Sequence, residues 1–147
     1  ILKIVTMNDK EKFMKLIFCF YDKNGMMFFG KRQSQDSVLR AWIMNHTKGS
    51  KLWMSSYSAK QFNDQAGYIV DDNYMQSATV GDYCFIEDKE YSLDNVSEII
   101  LCKWNRRYQA DKVFSIDLKS NGFKKVSSED IQGSSHDKIT IETYKKG

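Results

Sequence analysis

The stretch "GSSHDKITIETYKK", Gly133 to Lys146, gathers an imidazole, several ammonium groups, hydroxyls and a phenol around one strand-like run. Strand alternation puts His136, Lys138, Thr140, Glu142 and Tyr144 on one face and Ile139 and Ile141 on the other. Metal-independent RNA cleavage needs such a set. A base takes the 2′-hydroxyl proton, a cation steadies the phosphorane, and an acid protonates the leaving oxygen. A histidine titrates near neutrality when unperturbed, so His136 is the expected base. A second segment, "KWNRRYQADK", alternates Trp104, Arg106 and Tyr108 with Asn105 and Arg107. Such a face can stack bases, at about 1–3 kcal/mol each, and hold phosphates. Lys124 and Lys125 of "GFKKVS" widen the basic surface. The expected catalytic residues are therefore His136, Lys138, Arg106, Arg107 and Tyr144. The expected nucleic-acid contacts are Trp104, Arg106, Arg107, Tyr108, Lys124 and Lys125. The same alternation also fits the polar face of an ordinary antiparallel strand.

The run "GFKKVSSEDIQGSSHDKIT" resembles the core of HicA-type mRNA interferases, through Gly122, Phe123, Gly133, Ser135 and His136. The resemblance is confined to the C-terminal third. It implies a double-stranded-RNA-binding-like fold there, a toxin-type endoribonuclease activity needing no cofactor, and His136 as the catalytic histidine.

The middle of the chain suggests two other chemistries. Asp71 and Asp72 follow "GYIV", and Glu87-Asp88-Lys89 closes "DYCFIEDK". An Asp after one strand and Glu-x-Lys after the next resembles the Mg²⁺ site of PD-(D/E)xK nucleases, with Asp71 and Glu87 as ligands. The same region, with Tyr68, Asp71, Asp72, Tyr74 and Tyr83, fits the surface of a non-enzymatic inhibitor, immunity or anti-defence protein. There tyrosines supply contact area and acids steer a basic protein partner. His46 ends a helical pattern and suits a helix C-terminus without further role.

Charge is divided along the chain. Residues 1–50 carry 9 basic and 4 acidic side chains, residues 51–101 carry 3 and 9, and residues 102–147 carry 10 and 6. The overall excess is only +3. An apolar fraction of 41% excludes a wholly disordered chain. No apolar run reaches the roughly 18 residues of a membrane span, and no secretory leader is expected. Cys19, Cys84 and Cys102 are dispersed among apolar residues and read as free thiols in a reducing, cytoplasmic setting. Proline is absent, so turns must rest on Gly, Asn, Asp and Ser.

Two helices are expected early. Asn8 and Glu11 form a capping-box pattern, and Phe13, Leu16, Ile17 and Phe20 recur at helical spacing up to Asn24-Gly25. A second helix spans "SQDSVLRAWIMNHTKG", capped by Ser34 or Asp36, with Val38, Leu39, Trp42 and Ile43 facing inward. Beyond residue 51 the chain reads as short strands: "KLWMSSYS", "GYIVDD", "DYCFIEDKEYSL", "SEIILCKW", "DKVFSIDL", "GFKKVS" and "KITIETYKK". The expectation is one α+β domain over 1–147, with two N-terminal helices packed on an antiparallel or mixed sheet.

Overall fold

The run Leu16-Ile17-Phe18-Cys19-Phe20 decides the architecture. In the computed structural model, which describes residues 13–147, it is strand β1, Met14–Phe20. A helix was expected there, and the correction has a simple cause. Leu16, Ile17 and Phe18 are all fully buried, because both faces of the strand are covered. A strand buried on both sides shows a continuous apolar run, and its periodicity does not separate it from a buried helix. The capping pair Asn8 and Glu11 lies outside the described residues.

β1 is the centre of a seven-stranded sheet with the order β4-β3-β5-β1-β6-β9-β8. Its neighbours are β3 (Leu52–Met54), β4 (Ile69–Val70), β5 (Tyr83–Ile86), β6 (Val96–Lys103), β8 (Phe123–Ile131) and β9 (Ile139–Lys146). β1 pairs in parallel with β5 and β6, and β3 in parallel with β4 and β5. β9 runs antiparallel to β6, and β8 antiparallel to β9. Separately, β2 (Gly25–Met27) pairs with β7 (Lys112–Val113). The helices are α1 (Ser37–His46), α2 (Ser56–Ala59) and α3 (Tyr74–Ser77).

The expected class, α+β with two N-terminal helices on a sheet, therefore gives way to an α/β fold with a mostly parallel central sheet. The second expected helix is present as α1, with Asp36 rather than Ser34 as its cap. Its Leu39 and Ile43 enter the core, while Val38 is exposed.

Two apolar clusters line the two faces. One holds Leu16, Phe18, Phe20, Cys84, Ile86, Ile99 and Leu101, covered by Met26, Met27, Tyr74 and Phe114. The other holds Ile17, Phe85, Ile100, Cys102, Ile139 and Ile141, covered by Leu39, Ile43 and Phe62. Ile139 and Ile141 point inward as the alternation predicts. The helices are few and short, so loops do much of the covering. Among the described residues no helix is long and apolar enough to cross a membrane.

Candidate functional site

Five neighbouring strands run parallel, so their carboxyl ends share one edge. In open sheets of this kind the crevice beyond that edge is where ligands sit. Tyr21 follows β1, Ser55 follows β3, Glu87 follows β5 and Trp104 follows β6. β9 is antiparallel, so its start, with His136 just before it, reaches the same edge: Thr140 lies opposite Lys103.

The centre of the crevice is filled by an ion pair. Glu87 is 6% exposed and accepts from Arg32 Nε at 2.9 Å and Nη2 at 2.8 Å. It also accepts from Ser58 Oγ at 2.7 Å and Gln61 Nε2 at 3.1 Å. The Arg32 guanidinium lies 4.2 Å from the centre of the Tyr57 ring, and the Tyr57 hydroxyl accepts from Arg32 N–H. Four donors thus compensate the buried carboxylate, which otherwise would be costly. The space left among Cys19, Tyr21, Met26, Arg32, Ser34, Ile86, Glu87 and Trp104 is only about 10 Å³.

At the side of this crevice stands a second constellation. Asp36, at the start of α1, is 2% exposed. Its Oδ1 accepts from Val38 N–H, Leu39 N–H and Ser134 N–H at 2.9, 3.2 and 3.0 Å. Its Oδ2 accepts from Ser135 N–H at 2.8 Å, Ser135 Oγ at 3.1 Å and His136 Nδ1 at 2.9 Å. Burial alone would raise the Asp36 carboxyl. The Ser135 and Ser134 amides, His136 and Leu39 outweigh it and hold the group well below the usual carboxylate range. An ionised acceptor on Nδ1 fixes the proton of a neutral imidazole there, which leaves Nε2 as an acceptor. Ser34 Oγ is 2.6 Å from that Nε2. The imidazole is stacked on Trp104, 4.5 Å between ring centres.

"WNRRY" lies beside this loop. Arg106 Nη2 donates to Ser135 O at 2.7 Å, and Asn105 Nδ2 donates to Lys138 O at 3.1 Å and Thr140 Oγ1 at 2.9 Å. Arg106, then Ser34, hydrogen-bond Tyr108 and lower its phenol below the ordinary value. From Tyr108 a groove of about 560 Å³ opens, lined by Asp22, Lys23, Gly25, Arg107, Gln109, Ala110 and Val113.

The structure sorts the expected residues. His136 and Arg106 come together, with Tyr108 beside them and Arg107 in the adjoining groove. Tyr144 does not join them: at about 3.3 Å per residue, it lies roughly 17 Å along β9 from Ile139. Its hydroxyl donates to Glu142 at 3.0 Å, and Lys125 and Lys103 pair with the same carboxylate at 3.1 and 2.9 Å. Lys124 and Lys125 sit on β8, at the far edge of the sheet. Lys138 is exposed. His136 is 4% exposed and precedes β9 instead of lying on its outer face. Trp104 is 3% exposed and stacks on His136, so it offers no free face to a base.

The acidic segment is corrected as well. Tyr74 and Tyr83 are 1% and 6% exposed, so a docking surface built from Tyr68, Asp71, Asp72, Tyr74 and Tyr83 does not exist as one face. Asp71 accepts from Asn73 N–H and Ser77 Oγ around α3. Glu87 holds Arg32, and among the described residues no group of three or more His, Cys, Asp or Glu is placed to hold a metal. The Mg²⁺ site on Asp71 and Glu87 falls with that.

The chain is similar in fold to the solved structure of dihydrofolate reductase from Enterococcus faecalis complexed with NADP(H) and RAB-propyl. The TM-score is 0.64 and the identity 10%, over 93% of this chain and 98% of that chain. No family model matches the chain, and no curated protein matches it. The fold is thus of the reductase kind and not the double-stranded-RNA-binding kind, which overturns the HicA resemblance. The endoribonuclease and toxin reading falls with it, as do RNA or a basic protein as partner, the inhibitor reading and the Mg²⁺ nuclease.

The expectation of no cofactor, or Mg²⁺, is replaced by a question about NADP(H), which the neighbour holds. A pyrophosphate needs unclaimed N–H donors or cations at the strand ends. Here Ser56 N–H and Oγ hold Asp72 at 2.9 and 3.0 Å, Ser55 Oγ holds Asp88 at 2.6 Å, and Ser58 holds Glu87. Lys89 itself faces Asp72 at 4.0 Å. Carboxylates occupy the donors around α2 that phosphates would need, so the residues there do not fit the cofactor.

Sequence reasoning missed Arg32 altogether, and took Ser34 and Asp36 only as alternative caps of α1. Asp36 carried a usable signal, since one residue type serves both as a helix cap and as a histidine partner.

Proposed function

We propose that the protein, acting as a single domain, binds a small planar organic ligand with paired N–H donors in the crevice at the carboxyl ends of β1, β3 and β5. Glu87 is the recognising carboxylate. The reading rests on one observation: Glu87 grips the two-pronged edge of a guanidinium against an aromatic face. The amino-pyrimidine edge of a pteridine presents the same donor pair to a carboxylate. Arg32 fills that place from within the chain, and a ligand enters by displacing it. Dihydrofolate is the first ligand to test, because the fold neighbour is named for acting on it. Hydride transfer from NADP(H) is not part of the reading, since the donors around α2 are taken by Asp72, Asp88 and Glu87. The three free cysteines suit a reducing cytoplasm.

The experiment is a thermal-shift and calorimetric titration with dihydrofolate and with 2,4-diaminopyrimidine, alongside NADPH absorbance in the presence of dihydrofolate. Dihydrofolate stabilises the wild type, binds about tenfold tighter to Arg32→Ala, and loses its effect in Glu87→Gln. NADPH stays unconsumed. Absence of binding to both wild type and Arg32→Ala sinks the proposal. Steady NADPH consumption restores the reductase activity and overturns the argument from Asp72 and Asp88.

A further inference from the structure

Asp36, His136 and Ser34 stand in the order carboxylate, imidazole, hydroxyl, with contacts of 2.9 and 2.6 Å. We propose that Ser34 is a nucleophile activated by His136, with Asp36 as a positioning residue, and that the site transfers the acyl group of small esters with a negatively charged body. The inference does not depend on the ligand assigned to Glu87.

The roles follow from the geometry. Asp36 is fixed by five protein donors besides the imidazole, so it stays ionised and holds His136 in the tautomer whose Nε2 faces Ser34. Trp104 blocks rotation of the ring from one side. Such an arrangement of nucleophile, base and orienting group is recognised by its geometry and recurs on unrelated folds. Ser34 is half-buried and lines the narrow space of about 10 Å³ beside the ion pair. The Tyr108 hydroxyl stands beside Ser34, and a phenol is a donor suited to a developing oxyanion. The groove beyond Tyr108 is lined by Lys23 and Arg107, with Asp22 as its single acid, which suits an anionic body.

The step balances without a further oxidant or reductant. Ser34 Oγ–H gives its proton to His136 Nε2 as the Oγ bonds to the acyl carbon. The alcohol then departs with that proton as its bond to the acyl carbon breaks. Water, deprotonated by the same Nε2, attacks the acyl-serine. It releases the carboxylic acid and returns the proton to Ser34.

A fluorophosphonate probe tests this on the whole protein, because it phosphonylates an activated serine with loss of fluoride. Peptide mass mapping of the folded wild type gives one adduct, on Ser34, absent from Ser34→Ala. The labelling rate climbs to a plateau with rising pH, the mark of a base losing its proton. It falls at least about 100-fold in His136→Gln and Asp36→Asn, the scale of a lost general base. Circular dichroism establishes that each variant is folded. Should both unfold, the wild-type adduct and its pH profile decide alone. No adduct on Ser34, an adduct on Ser134 or Ser135 instead, or a rate independent of pH overturns the proposal.

Discussion

Asp36→Ala isolates how much one carboxylate holds together. The substitution removes the cap of α1, worth about 0.5–2 kcal/mol. It also strips partners from the loop over 133–136. Ser134 and Ser135 are exposed, so their amides turn to water at little cost. His136 is not: its side chain is 3% exposed, and a buried donor left without a partner costs about 1–3 kcal/mol. The expected loss is about 1.5–5 kcal/mol, read as a shift in the urea midpoint at unchanged slope. The pH dependence has a definite sign. The folded-state pKa of Asp36 lies below the unfolded value of about 3.9. Its stabilisation is therefore complete above that value and disappears as pH falls through the folded pKa. Wild type and Asp36→Asn converge in stability only in strong acid. A loss under about 1 kcal/mol at pH 7, or convergence already near pH 5, refutes the reasoning.

Other consequences are equally measurable. Gly133→Ala places a Cβ 2.8 Å from Asp36 Cγ, which the carboxylate cannot yield without losing its partners; thermal unfolding should show a loss of about 1–3 kcal/mol. Arg32→Ala leaves Glu87 buried without its cation and costs about 3 kcal/mol by urea unfolding, while Arg32→Met with Glu87→Leu recovers most of it. Among the described residues the Tyr74 hydroxyl is buried without a hydrogen-bond partner, so Tyr74→Phe gains about 1 kcal/mol in the same assay. Burial pushes the Cys84 thiol up to about 12, so it resists alkylation at pH 8 until the protein unfolds, checked by mass spectrometry.

How much of this was legible depended on what each segment packs against. α1 was readable because one of its faces meets solvent and Asp36 punctuates its start. Ile139 and Ile141 were readable because β9 alternates. β1 was not, since burial on both faces erases the period that separates strand from helix. The parallel order was hidden too, because β1 gains β5 and β6 as neighbours from far along the chain. At the site, residue types pointed to His136 and Arg106. Their companion Ser34 lies about a hundred positions away in a polar loop with no local signature. Tyr144 was misassigned because a shared face was taken for a shared site, although distance along β9 separates them.

The Asp36–His136 contact joins residues 100 positions apart, and this bears on folding order. Such closure comes late, since long-range pairing follows local structure. Replacing His136 should therefore speed unfolding while leaving the refolding rate nearly unchanged. During synthesis β1, β5 and β6 can pair well before β9 exists. The nascent chain then carries a formed sheet centre and an unassembled Ser-His-Asp set, so reactivity at Ser34 arises only when β9 docks.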